Sequence, residues 1–334
     1  MQWIKKIAIL FIFVFCTSCD ERNNSYNESV INARTRVAIH GKIFQDAFNG
    51  RTGAAIIMDV NNGEILGLFN QKLAIESEFA PGSVLKLITA YAATKERITD
   101  FDRKIVCSGN YYIGKNVIHC WVINGHGALD LKEAIAYSCN IHFYNLAKEL
   151  GAPKLLSYYK KFGLGTKTGI NLPDEKAGFI PTPHSLKETI DLAVGEGMIR
   201  VTPLQIVNFI SCIANGGILY KPFIQSSERE KGEIVGKHVN NNLPDSDKKY
   251  LDYIKLGMRE AILKGNARLA NQTVLEVAGK TGSATILGTK YTHGWFAGFA
   301  PYNNPQIALV VFVKEGKGFT TAATIAKKIF LGIM

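Results

Sequence analysis

Three Ser-x-x-Lys tetrads occur in this 334-residue chain, at Ser83/Lys86, Ser157/Lys160 and Ser246/Lys249. A serine hydroxyl is a weak nucleophile at neutral pH, and a lysine one helical turn away can act as the base that activates it for acyl transfer. Two Ser-x-Asn triplets lie downstream of Ser83, at Ser108/Asn110 and Ser138/Asn140, and two Lys-Thr-Gly triplets occur, at Lys167 and Lys280. Context must choose among them. Ala80-Pro81-Gly82 gives Ser83 a rigid entry, and Val84-Leu85-Lys86-Leu87-Ile88 opens an apolar helix. The serine therefore stands at a helix start, where its backbone N–H can face a developing oxyanion. Ser157 sits inside a helix beside Tyr158 and Tyr159, and Ser246 lies in a charge-rich loop, so both read as surface positions.

Ser138-Cys139-Asn140 falls at a junction between two helical runs and points at a cleft, whereas Ser108-Gly109-Asn110 has the composition of an ordinary turn. Lys280-Thr281-Gly282-Ser283 interrupts a strand-like run, and an edge strand with glycine lets an extended peptide approach closely. Lys167-Thr168-Gly169, between Gly165 and Pro173, reads as a loop.

The elements that must position these residues follow from periodicity. Ala54 to Val60 and Glu64 to Phe69 flank Asn61-Asn62-Gly63, which predicts a hairpin. Val84 to Lys95, Leu131 to Leu150, Lys154 to Phe162 and Pro203 to Ala214 show apolar recurrence at helical spacing, with Gly151 as a stop signal. Ser226 to Lys249 reads as a polar excursion and Tyr250 to Leu263 as another helix. Leu275 to Ile286, His293 to Phe299 and Ile307 to Val313 are β-rich, and Thr320 to Leu331 is helical. Strands, then helices, then strands predict an α+β fold: an antiparallel sheet built from both chain ends, flanked by helices, with an inserted all-helical lobe.

At the N-terminus, Lys5 and Lys6 precede the apolar run Ile7 to Phe15 and then Cys16-Thr17-Ser18-Cys19, a signal-peptide layout too short to span a bilayer. Residues 1–19 are read as that signal, residues 20–37 as a polar linker and residues 38–334 as the catalytic domain. Ser18 before Cys19 resembles a bacterial lipoprotein signal, in which Cys19 would carry the lipid; a conventionally cleaved segment or an uncleaved anchor is the alternative. All three place the rest of the chain at the extracytoplasmic face of the cell membrane. The net charge of +11 comes without zinc-finger spacing, aromatic-basic interleaving or a phosphate loop, so a nucleic-acid partner is not expected.

Ser83/Lys86, Ser138/Asn140 and Lys280-Thr281-Gly282 come in the order found in serine penicillin-recognising enzymes. The likeness extends through Cys120-Trp121, Gly125-His126-Gly127, Phe162-Gly163-Leu164-Gly165, Gly195-Glu196-Gly197, Val201-Thr202-Pro203-Leu204-Gln205, Ala214-Asn215-Gly216-Gly217 and Gly294 to Pro301. Together these resemble the transpeptidase domain of class B penicillin-binding proteins, especially the elongation type, over about residues 50–330. The resemblance implies that Ser83 attacks the D-Ala-D-Ala stem peptide of peptidoglycan and that Lys86 accepts its proton. Ser138 would relay the proton to the leaving amine and Asn140 would hold the substrate amide. Lys280, Thr281 and Gly282 would bind the terminal carboxylate, with the backbone N–H groups of Ser83 and Ser283 as oxyanion hole. It implies β-lactams as covalent inhibitors, cell-wall synthesis proteins as partners, and no cofactor.

Two departures stand out. Cys139 occupies a place where the middle motif can carry aspartate, and the roughly 30 residues between the signal and the first strand are too few for the pedestal domain of full-length family members. A class D-like β-lactamase, a β-lactam sensor domain and an inactive cell-wall peptide-binding module are the rival readings. The chain has no Tyr-Gly-Asn triplet and no Glu-x-x-Leu-Asn, which argues against rapid deacylation. Cys107 and Cys120 are open to three readings: a disulfide, a metal site with Asp102 or His119, or separate buried thiols. Cys139 and Cys212 read as core thiols, His126 and His293 as structural, and Glu196 as a turn residue or a group behind the site.

Overall fold

The computed structural model describes residues 41–225 and 238–333. The expected signal segment with Cys19, the linker 20–37 and residues 226–237 of the polar excursion lie outside the described residues. Residues 41–48 form helix α1, followed by β1 (Gly53–Asp59), β2 (Ile65–Phe69) and the single-turn α2 (Gln71–Ala74). The middle of the chain supplies α3 (Lys86–Lys95), the ribbon strands β3 (Ile105–Cys107), β4 (Asn110–Ile113), β5 (Asn116–His119) and β6 (Gly127–Leu129), then α4 (Leu131–Ala136), α5 (Asn140–Lys161), α6 (Leu186–Ala193) and α7 (Pro203–Ala214). Strands β7 (Ile218–Tyr220) and β8 (Val239–Asn242) precede α8 (Lys248–Leu263), and the chain closes with β9 (Ala278–Thr285), β10 (Thr292–Ala300), β11 (Ile307–Val313) and α9 (Ala323–Gly332).

Both chain ends meet in one antiparallel sheet of order β2-β1-β11-β10-β9, as the sequence predicts. Side chains alternate across it with period two. Ala54, Ile56 and Met58 of β1 and Ala308, Val310 and Phe312 of β11 face the helical lobe, while Ala55, Ile57, Leu309 and Val311 face a second apolar layer. That second layer includes Phe44 and Phe48 of α1 with Ile329 and Phe330 of α9. Both faces are covered, so the inner strands read as nearly continuous apolar runs.

On the lobe side α7 is buried along its whole length, and its start is written in the sequence. Thr202 Oγ1 accepts from Gln205 N at 3.1 Å, Gln205 Oε1 accepts from Thr202 N at 3.0 Å, and Pro203 needs no partner for its first-turn nitrogen.

The structure departs from expectation in two respects, the ribbons on the lobe and two unforeseen helices. The lobe is not all-helical: β3/β6, β4/β5 and β7/β8 form three two-stranded ribbons on it. They are three or four residues long, too short for periodicity to show. The helix junction expected at Ser138-Cys139-Asn140 is present: the run from Leu131 to Leu150 is interrupted at Tyr137–Cys139, where Ser138 adopts a left-handed φ of 55°. Gly151 (φ 72°, ψ 161°) is non-helical and separates the two helical runs of α5, as its stop signal predicts, with Pro153 in the first turn of the segment that resumes. Helices α1 and α6 were not foreseen, although Ser185 caps α6 by accepting from Glu188 N at 3.2 Å.

Candidate active site

Ser83 lies in a 3₁₀ turn, Gly82–Leu85, that runs directly into α3. From Pro81 to Thr94 every residue is buried except Ser83, so the turn opens to solvent at the serine alone. The turn is pinned from three sides. Gly82 N donates to Gly195 O at 2.9 Å, Trp295 Nε1 donates to Ala80 O at 2.9 Å, and the backbone of β9 lies against it. A Cβ on Gly282 would stand 2.6 Å from Pro81 O, and one on Gly82 would stand 2.7 Å from Ser283 O and 3.2 Å from Ser283 N. Glycine at both positions lets the serine turn and the edge strand touch backbone to backbone. The expected oxyanion pair, Ser83 and Ser283, is carried by these two abutting segments.

Lys86, the first residue of α3, is wholly buried. Its Nζ donates to Ser138 O at 2.9 Å and to Asn140 Oδ1 at 2.5 Å, and lies 3.3 Å from Ser138 Oγ. Lys280 on β9 reaches the same hydroxyl from the other side, donating to Ser138 Oγ at 2.7 Å and to Thr281 O at 3.0 Å. Ser138 owes its position to the break between α4 and α5, whose left-handed residue turns the hydroxyl toward both amines.

Burial lowers the Lys86 pKa to about 8, against the opposing pull of Cys139, Cys120 and Glu196. Lys280 sits well below its ordinary range, first through burial and then through the Lys86 cation. A neutral Lys86 has two N–H groups, and the two carbonyl acceptors at 2.9 and 2.5 Å take both, which leaves its lone pair for a hydroxyl.

Ser83, Ser138, Asn140, Thr281, Gly282 and Ser283 line one cleft of about 340 Å³, together with Trp121, Tyr144, Val194, Glu196, Asn266, Arg268 and Phe319. Six of the eight expected catalytic and substrate-binding residues therefore face one space, and the other two, Lys86 and Lys280, stand behind it on Ser138. The rival motifs lie elsewhere. Ser157 Oγ donates to its own helix at Lys154 O, and Ser246 Oγ points to Asp247 Oδ1 at 3.4 Å. Ser108 sits in a turn at Gly109 (φ 92°), and the Lys167 triplet is tied down by Glu175, which accepts from Thr168 N at 2.6 Å.

Beside the cleft is a second cluster. The ligand atoms of Cys107, Cys120, His126 and Cys139 lie within 4.8 Å of one another, and His126 Nδ1 is 3.5 Å from both Cys107 Sγ and Cys120 Sγ. A tetrahedral zinc with ordinary Zn–S and Zn–N lengths separates S from N by about 3.6 Å, so three thiols and an imidazole at these distances fit such an ion. A hydrogen bond from Cys139 holds the Cys120 thiol far below its usual range and raises that of Cys139.

Both thiols of the Cys107/Cys120 pair are free and buried, one of the three readings open for them. Cys107 and Cys120 are unbonded to each other, His119 Nδ1 lies 2.8 Å from Asn110 Oδ1 on the β4/β5 ribbon, and Asp102 sits in a turn where its N donates to Asp100 Oδ1. His126, and Cys139 in the core as expected, stand beside the pair instead. The signal was present as Cys-x12-Cys-x5-His-x12-Cys, with a final cysteine inside Ser138-Cys139-Asn140. Cys212 is a buried core thiol as expected, and His293 packs its ring on Phe79 and Phe312.

Residues 53–333 match the family model described as the penicillin binding protein transpeptidase domain. The chain belongs to the penicillin-binding protein transpeptidase family. Among curated relatives, it is 31% identical over 312 residues to stage V sporulation protein D of Bacillus subtilis, covering 84% of this chain and 48% of that protein. It is 27% identical over 338 residues to the peptidoglycan D,D-transpeptidase MrdA of Acinetobacter baumannii, covering 84% of this chain and 50% of that protein. The chain thus spans about half the length of these relatives.

Among solved structures, PBP2 of Helicobacter pylori in complex with MreC superposes with a TM-score of 0.76 at 26% identity, over 88% of this chain and 63% of that one. Pseudomonas aeruginosa PBP2 in complex with WCK 5153 gives 0.80 at 24% identity, over 86% and 75%. The latter likeness bears on the fold alone.

Proposed function

We propose that the chain is an active-site-serine D,D-transpeptidase that acts on D-Ala-D-Ala stem peptides of peptidoglycan. The observation that carries this reading is the Ser138 hydroxyl, bracketed by the amines of Lys86 and Lys280 at the wall of the cleft that holds Ser83. In the first half-reaction neutral Lys86 takes the Ser83 proton as Oγ adds to the carbonyl of the penultimate D-alanine. The backbone N–H groups of Ser83 and Ser283 hold the resulting oxyanion. As the C–N bond breaks, Ser138 passes a proton to the departing D-alanine amine and is reprotonated from the lysine side. The acyl-enzyme ester remains on Ser83. In the second half an amine of another stem peptide adds to the ester and the proton flow reverses.

Asn140 gives its oxygen to Lys86 and keeps its amide N–H for the substrate. Thr281 and Gly282 receive the terminal carboxylate on the free edge of β9, with Lys280 behind them on Ser138. Related MrdA and PBP2 names support the reading, and the family's penicillin chemistry makes β-lactams its covalent inhibitors.

The four-residue cluster would hold one thiolate-preferring divalent ion such as zinc, supplying a rigid tie between the β3/β6 region and the start of α5. Residues 1–19 would direct the chain to the extracytoplasmic face of the membrane, with Cys19 as a lipid attachment point. No described helix is long and apolar enough to cross a membrane. The complex of Helicobacter pylori PBP2 with MreC suggests cell-wall synthesis proteins as partners.

Incubation with a fluorescent penicillin should yield a stable adduct on the Ser83 peptide, absent in Ser83→Ala. Rapid turnover of nitrocefin with no trapped adduct would instead favour the β-lactamase reading. Incubation of defined pentapeptides with and without an amine acceptor separates transfer from hydrolysis.

A further inference from the structure

We infer that a basic cleft on the helical lobe, separate from the serine site, binds a phosphate ester of a polyol or sugar. The cleft encloses about 430 Å³ between the end of α5, the loop that carries the unused Lys167-Thr168-Gly169 triplet, α7 and the β7/β8 ribbon. It shares no lining residue with the serine cleft, so the inference goes beyond the transpeptidase reading and does not depend on it.

Lys160, Lys161, Lys167 and Lys221 line this cleft, and no carboxylate does. Among the described residues none of these four lysines is in an ion pair, whereas Lys154, earlier on the same helix, is paired with Glu96. The buried acid behind the loop, Glu175, is already occupied: it accepts from Thr168 N and Thr168 Oγ1, each at 2.6 Å, and from Gly169 N at 3.0 Å. Four ammonium groups against one carboxylate leave an excess of positive charge that repels itself until an anion enters.

The walls are fixed before any ligand arrives, which lowers the ordering cost of binding. Asn240 Nδ2 donates to Thr168 O and Asn241 Nδ2 to Lys161 O, each at 2.8 Å, so the ribbon is tied to both the loop and the helix end. Gln205 Nε2 of α7 donates to Thr166 O at 2.8 Å. Gly169 has a φ of 83°, and a Cβ there would stand 3.2 Å from Lys221 Cε; glycine lets the lysine stem lie across the loop.

An inorganic anion alone does not account for the buried part of the lining. Asn208 of α7 is 3% exposed, and its Oδ1 has no hydrogen-bond partner. A buried amide oxygen left without a donor is costly. A phosphate dianion only accepts, so a hydroxyl on the same ligand is the group that meets Oδ1 while the phosphate oxygens take the ammonium groups. No aromatic side chain lines the cleft to stack on a nucleobase, which favours a polyol or sugar over a nucleotide.

Calorimetric titration of the chain with glycerol 3-phosphate, inorganic phosphate and glycerol, at one low ionic strength, tests this. Glycerol 3-phosphate should bind about tenfold more tightly than phosphate, and glycerol should not saturate. The double variant Lys167→Ala/Lys221→Ala should weaken both phosphate ligands at least about tenfold with an unchanged melting temperature. Asn208→Ala should bring the two affinities to within about twofold of each other. Because that ratio is taken within one protein, partial misfolding does not alter it. Poly(glycerol phosphate), compared at equal phosphate, separates two sources of the same chemistry: tighter binding than the monomer supports an ester carried in a chain, and equal binding supports the free ester. No binding of either phosphate ligand, equal affinities in the wild type, or affinities unmoved in the double variant would overturn the inference. So would a preference that survives in Asn208→Ala, since Oδ1 would then meet a water rather than the ligand.

Discussion

Replacing Gly282 by alanine tests whether backbone contact between the Ser83 turn and strand β9 sets the catalytic geometry. The added Cβ would lie 2.6 Å from Pro81 O and 3.0 Å from Val84 Cγ2. An ordinary carbon–oxygen contact is about 3.3 Å, so the strand and the turn must separate by about 0.7 Å. Pro81 O is a backbone atom in a buried segment pinned by Gly82 and Trp295, and it has no rotamer with which to yield.

The oxyanion donors on the two segments would move apart by the same amount. A misplacement of about 1 Å lowers rates by about two orders of magnitude, and loss of one oxyanion donor by two to three. We therefore expect Gly282→Ala to acylate with penicillin about 30- to 100-fold more slowly in stopped-flow measurements, with about 1–3 kcal/mol lost from folding stability. Gly41→Ala, where nothing lies within 4 Å of the new Cβ, is the matched control. A Gly282→Ala protein that acylates within threefold of wild type would refute the claim that this contact holds the site together.

Other outcomes follow from the same geometry. On the proposed mechanism the neutral form of Lys86 is the base, and with its pKa lowered to about 8 the acylation rate should climb about 50-fold from pH 6 to pH 8 and level off above; a flat profile would remove Lys86 from that role. Elemental analysis should find about one zinc per chain, and Cys120→Ser or prolonged chelation should lower both metal content and melting temperature together; full stability in a metal-free chain would argue against the site. Trp295→Phe removes a buried donor to Ala80 O and leaves a void, so denaturant titration should show a loss of about 2–3 kcal/mol.

Much of this site was legible without coordinates because its parts are local. A serine after Pro81-Gly82 at the head of an apolar run, a Ser-x-Asn at a break in helical periodicity and a Lys-Thr-Gly in a β-rich run each announce their own backbone setting. Chain order alone then predicts the sheet closed from both ends, since strands flank a helical middle. The short ribbons were not legible, because three- or four-residue strands carry no period.

The cysteine–histidine cluster divides along the same line. Cysteine count and spacing marked Cys107 and Cys120, yet which residues joined them depended on the fold bringing β3, the segment after β5 and the start of α5 to one point. His119 and Asp102 are nearer in sequence to that pair than Cys139 is, but proximity along the chain sets no distance in space. The same holds for the two amines on Ser138: residues 86, 138 and 280 converge only because α3, the α4–α5 break and an edge strand pack together. The residue types and their local settings belong to the sequence; the low dielectric that depresses both lysines, and the contact that aims them at one hydroxyl, exist only in the packed molecule.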